Sequence, residues 1–227
     1  MLDILSSFSL YSHIVAGSVT LLSGPVAIFY NFKNPGNHRI AGKIFYYAML
    51  WVVLTSFIGF LKYPDQPFYQ FLLGIAVLVL AGLLRGVRSI FLMKGSQVSR
   101  LDWGYTALLA LNAVYMLGMS VWHGINGDNV IFPILFGVFG LNSSMDVRLN
   151  WKTFSKPEQM SSLNWMRMHS MTMLGAFIAS TTAFTVNAAH FLPWWAQWFG
   201  PTLLLVPVQI YFSKKIQNLG NKSKSVA

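Results

Sequence analysis

Among residue types able to bind a metal or move a proton, this chain has five histidines, six carboxylates and no cysteine. The absence of cysteine excludes disulfides, thiolate nucleophiles and Cys-ligated zinc or iron–sulfur centres. The carboxylates Asp3, Asp65, Asp102, Asp128, Asp146 and Glu158 all fall between long apolar runs or at their ends. Proton-driven pumps commonly carry an acid at mid-membrane depth, so an ion-driven pump is disfavoured. No phosphate-binding glycine loop, nucleophile elbow or His-Glu-x-x-His motif occurs. The chemistry that remains is imidazole, which binds zinc, copper and haem iron and carries protons near neutrality.

The elements that hold these histidines are apolar. Of the 227 residues, 55% are hydrophobic and 10% charged, with a mean hydropathy of +0.53. Soluble domains carry about 25% charged residues, so a soluble enzyme, a disordered chain and a coiled coil are excluded. A helix needs about 20 apolar residues to cross a bilayer. Seven segments qualify, near Phe8–Tyr30, Lys43–Leu61, Phe68–Met93, Gly104–Gly124, Asn129–Met145, Met168–His190 and Trp195–Phe212. The fifth is the weakest, because Asn142, Ser143 and Ser144 shorten its apolar core.

Charge places the termini. The net charge of +10 would point to nucleic acid in a soluble protein; here the basic residues lie between apolar runs, so no nucleic-acid partner is expected. With seven crossings, fifteen of the sixteen Lys and Arg fall on one face and Lys62 alone on the other. Without the fifth crossing the split would be seven against nine. The positive-inside rule therefore predicts an all-α bundle of seven transmembrane helices, amino terminus outside and carboxyl terminus cytoplasmic. The bundle is expected to span residues 1–213, followed by a short basic tail, 214–227. Asp3 and the long first apolar run argue against a cleaved signal peptide. The one long connection expected is Asp146–Trp165. Trp103, Trp122, Trp151, Trp165, Trp194, Trp195 and Trp198 fall near span ends and read as interfacial anchors. No internal repeat is evident, and no lysine lies mid-span to form a retinal Schiff base.

On this frame the histidines form two layers. His13, His123 and His190 lie near the outer face, and Met119 shares a helical face with His123. These four are candidate ligands for haem b or for a copper or zinc ion. His38 and His169 lie at the inner face with Arg39, Arg85, Arg88 and Arg167. They outline a basic pocket able to hold the headgroup of an anionic lipid, with Arg85 close enough to the boundary to snorkel. The sixth segment carries Thr172, Ser180 and Asn187 in a stripe between His169 and His190. Such a face either packs against neighbours or lines a cavity joining the two layers. The first segment has a matching small face in His13, Gly17, Thr20 and Gly24, which predicts that the first and sixth helices are neighbours. The plainer alternative is that the histidines are tolerated amphipathic residues at the interfaces.

Three segments carry a resemblance. His13-Ile-Val-Ala-Gly17, Asn37-His38-Arg39-Ile-Ala-Gly42-Lys-Ile-Phe45-Tyr46 and the stretch from His169 through Gly175 to Phe184 resemble motifs of the bacterial multi-pass membrane proteins grouped as domain of unknown function 2306. The His-Arg pair is the most specific of these. The resemblance implies a multi-pass protein of the bacterial inner membrane and lends weight to His13, His38, Arg39 and His169. It implies no particular activity. The functional expectation is a membrane protein with histidine-lined sites that bind a metal or haem in a redox or cofactor-handling role. The alternative is an accessory subunit or small-molecule carrier whose histidines are structural.

Overall fold

A computed structural model describes residues 2–127 and 129–224, with side chains described from 7 to 127 and from 129 to 218. Among the described residues the secondary structure is entirely helical. Seven α-helices follow in order: α1 Leu2–Tyr30, α2 Pro35–Lys62, α3 Pro67–Met93, α4 Arg100–Asn126, α5 Ile131–Ser155, α6 Ser162–Ala188 and α7 Trp194–Lys224. A single 3-10 turn, Pro157–Gln159, links α5 to α6. Five of the helices, α1 to α4 and α6, are long and apolar enough to cross a membrane, as a multi-pass membrane protein requires. Helices α5 and α7 are long enough, at 25 and 31 residues, but polar residues dilute them.

The helices outrun the apolar segments. The long connection expected at Asp146–Trp165 is mostly helix, because α5 continues through Asp146, Arg148 and Lys152 to Ser155. The basic residues Lys214 and Lys215 likewise continue α7. Charged side chains suit a solvated helix end, so each of these helices runs on past its apolar segment.

Helix ends are set by specific groups. Helix α3 closes on a Schellman motif in which Ser96 N–H donates to Phe91 O and Gly95 N–H to Leu92 O, both at 3.1 Å. Gly95, at φ +95°, is the one described residue with positive φ, which a Cβ would oppose. At α4, the main-chain N–H of Ser99 donates to Asp102 Oδ2 at 2.7 Å, and the Tyr105 hydroxyl donates to Oδ1 at 3.1 Å. Asp102 is fully buried, and these bonds satisfy it.

The chain forms two compact units. The first comprises the described residues of Met1–Ser12, Val53–Leu84 and Gln97–Met160. In it α4 and α5 run antiparallel: Trp103 meets Trp151 edge to face at 5.3 Å, Asn150 donates to Thr106, and Asn112 donates to Ser143. Gly140 allows the close approach, since a Cβ there would meet the Leu117 side chain at 2.9 Å. Phe71 and Phe136, both fully buried, pack edge to face.

The second unit comprises His13–Val52, Arg85–Ser96 and the described residues of Ser161–Ala227. Here the expected adjacency of the first and sixth helices is observed, because the Phe177 ring of α6 fills the space a Cβ on Gly24 of α1 would need. Helix α7 packs on α6 despite Pro201 and Pro207 within it. Proline at 201 cannot donate to Gln197 O, four residues back. The Thr185 hydroxyl on α6 supplies the missing donor at 2.7 Å. Gln209 on α7 also donates to Met171 O on α6 at 2.7 Å. In hydrocarbon such freed carbonyls must find donors from neighbouring helices.

Candidate functional site

The second unit brings His38 and His169 together. His38 lies in a helix because the Asn34–Pro35 pair starts α2 well before its apolar run. Asn34 Oδ1 accepts the N–H groups of Gly36 and Asn37 at 3.0 and 3.1 Å. Pro35 occupies the first helical position, where its missing N–H costs nothing. Helix α1 ends at Tyr30, which leaves Ala27 O among the last four carbonyls without an intrahelical donor. His38 Nδ1 supplies one at 2.9 Å. His169, in the third turn of α6, donates Nδ1–H to Gly86 O of α3 at 2.8 Å.

These two bonds fix the chemistry of both rings. A carbonyl only accepts, so Nδ1 carries the proton and each neutral ring holds its lone pair on Nε2. Neither Nε2 has a hydrogen-bond partner among the described residues. The rings stand edge to face, with centroids 6.4 Å apart and planes at 85°. A ring anchored through Nδ1–H to a backbone carbonyl, with Nε2 left as donor atom, is the usual state of a metal-bound histidine. With metal–nitrogen bonds of about 2.0–2.1 Å, two imidazoles on one metal have centroids about 5 Å apart at a tetrahedral angle and about 6.4 Å when opposed. The observed centroid spacing is within reach of one shared metal, and the two residues that would hold a haem iron or a copper ion, through Nε2, are His38 and His169.

The basic residues expected at this site are distributed unevenly. Arg85 is 6% exposed, packed inside rather than snorkelling outward, and its carbonyl accepts the Ser89 hydroxyl. Arg167 lies two residues before His169, and its buried Nε has no hydrogen-bond partner among the described residues. Arg39 is exposed.

The outer candidates fall out differently. His13 is hydrogen-bonded to the main chain of Val52. In the first unit, Gln70 Nε2 donates to Pro64 O, which turns Gln70 Oε1 toward His123 Nε2 at 3.1 Å. His123 is thus protonated on Nε2 and lies flat on Phe136, with centroids 5.4 Å apart. Met119, one turn before it, is half-buried. His190 is exposed on the turn after α6. Among the described residues, no three His, Asp or Glu side chains gather to hold a metal.

The α6 stripe spends its polarity on its own helix. Thr172 donates to Met168 O, Ser180 to Phe177 O and Asn187 to Ala183 O. Thr172 is buried and Asn187 exposed, so the stripe is packed at its His169 end and open at its His190 end. Trp165, expected as an interfacial anchor, is also buried, at 4% exposure.

One polar centre was not singled out in the sequence. Asn112, midway along α4, donates to both Gly74 O of α3 and Ser143 Oγ of α5 at 3.1 Å. A lone Asn within an apolar span was its available signal.

Comparison of the chain with family models, curated proteins and solved structures finds no match in any of the three.

Proposed function

We propose that the protein is a seven-span protein of a bacterial cytoplasmic membrane, amino terminus outside, that holds a haem iron or a copper ion between His38 and His169 in a redox or cofactor-handling role. The observation that carries this is the pair of Nδ1-anchored imidazoles at 6.4 Å. With Nδ1 of each ring engaged by a carbonyl, neither would change tautomer on binding a metal through Nε2. Haem is favoured over a bare ion by charge: Arg39, Arg85 and Arg167 share this end of the second unit, and cationic side chains suit haem propionates but repel a free cation. The bacterial setting rests on the His-Arg and later-helix motifs. The seven-span topology rests on the fifteen-to-one distribution of basic residues.

The test is elemental analysis and an absorption spectrum of gently purified wild type, His38→Ala and His169→Ala. Haem gives a Soret band and copper a stoichiometric metal signal, and either substitution abolishes it. Wild type lacking iron and copper after supplementation of the growth medium with both and with haem overturns the reading.

A second reading is favoured by the Ala27 contact. His38 closes the end of α1, which is a structural service in itself, so the protein would be a non-catalytic membrane component with structural histidines. In that case His38→Ala lowers thermal stability and His38→Gln, which keeps a donor, restores it, with no metal signal in any variant.

A further inference from the structure

At the same end of the second unit, two lysines are held over aromatic rings. Lys33 Nζ lies 3.8 Å from the centroid of Phe29, and Lys215 Nζ lies 4.3 Å from that of Phe32 and 5.7 Å from that of Tyr211. Phe32 in turn stacks on Phe212, with centroids 5.5 Å apart and planes at 16°. The stack ties the segment after α1 to α7 and brings the Lys215 ammonium to the residue next to Lys33. Neither lysine has an ion pair among the described residues. Two lysine ammoniums resting on the rings of Phe29 and Phe32, close in sequence at the end of α1, with no ion pair among the described residues, can receive an anion.

The surroundings identify the anion's carrier. Along α1, Leu22, Val26 and Phe29 are 74, 45 and 58% exposed; along α7, Leu203, Leu204 and Ile210 are 67, 76 and 47% exposed. These apolar side chains lead away from the lysines on the same two helices, as acyl chains lead away from a headgroup. A free phosphate would use the cations and ignore the apolar flanks; a phospholipid uses both. We propose that Lys33 and Lys215 bind the phosphate of an acidic phospholipid whose acyl chains lie along the exposed faces of α1 and α7. The aromatic rings hold the ammonium groups at headgroup height and keep them from reaching into bulk water.

The experiment uses the full chain purified in a neutral detergent with phosphatidylcholine. Phosphatidylglycerol, added in steps, is followed by the midpoint of thermal unfolding and by lipid retention in native mass spectrometry. Wild type is expected to gain stability with phosphatidylglycerol and to retain it over phosphatidylcholine. Lys33→Ala/Lys215→Ala is expected to lose the stabilisation and to retain phosphatidylglycerol about twenty-five-fold less, about fivefold for each lysine. Lys94→Ala, a basic residue on the turn after α3, is expected to behave as wild type. Should the alanine pair fail to fold in phosphatidylcholine, Lys33→Gln/Lys215→Gln takes its place with the same expectation. Equal responses in wild type and the double variant overturn the site. Equal stabilisation by inorganic phosphate without added lipid overturns the lipid as the ligand.

Discussion

Thr185 of α6 and Gln197 of α7 are joined by a 2.7 Å hydrogen bond whose acceptor is the carbonyl that Pro201 leaves without its helical donor. Removing the hydroxyl should expose that carbonyl. Thr185→Val is expected to destabilise the protein by about 1 kcal/mol, within the range for interhelical hydrogen bonds in membranes. In a Pro201→Ala background the restored N–H satisfies Gln197 O, so the same substitution should cost close to nothing. A double-mutant cycle read by thermal or denaturant unfolding checks this, and additive effects would break the link between the two positions.

Asn112 makes two interhelical bonds from the middle of α4. Asn112→Ala removes both and opens a void, whereas Ser143→Ala removes one acceptor and little volume. The expected order of destabilisation is Asn112→Ala above Ser143→Ala, with the larger effect at about 1–2 kcal/mol. Equal losses in the same unfolding assay would show that the bond to Gly74 O contributes nothing.

Two glycines make a matched pair for packing. A Cβ at Gly140 would sit 2.9 Å from Leu117, while one at Gly118 meets nothing within 4 Å. Gly140→Ala should cost about 1–3 kcal/mol through forced separation of α4 and α5. Gly118→Ala should be neutral or slightly stabilising, since alanine loses less backbone entropy in a helix. Comparable midpoints for the two variants would contradict the close approach of α4 and α5 at Gly140.

Topology is checked with fusions. A carboxyl-terminal reporter active only outside the cytoplasm should stay silent, and the same reporter fused after Lys62 should be active. Activity at the carboxyl terminus would remove one crossing and with it the fifteen-to-one charge bias.

The helices were legible because apolar runs and basic clusters are local properties of the chain. All seven expected segments correspond to helices, and α1 and α6 are neighbours as expected, although the contact at Gly24 is made by the Phe177 ring and not by the small face of the sixth segment. The ends were less legible. Asn34–Pro35 starts α2 by capping, and the charged stretch from Asp146 to Ser155 continues α5; hydropathy registers neither. The pairing of His38 with His169 depends on where two carbonyls, Ala27 O and Gly86 O, lie across helices, and no periodicity encodes that. Arg85 could be placed by depth but not by direction, so its burial was invisible until its neighbours were in place.

The second unit is assembled from three separate stretches of chain, and the two histidines come from the first and the last of them. Translation at about 5–20 residues per second therefore delivers His38 several seconds before His169. During that interval the early imidazole has its anchor at Ala27 O but no opposing ligand, and any metal met then could be held by one nitrogen only. Capture of the proposed group is thus a late event that waits on insertion of α6, so truncation before Ser162 should leave a protein unable to be loaded whatever the supply.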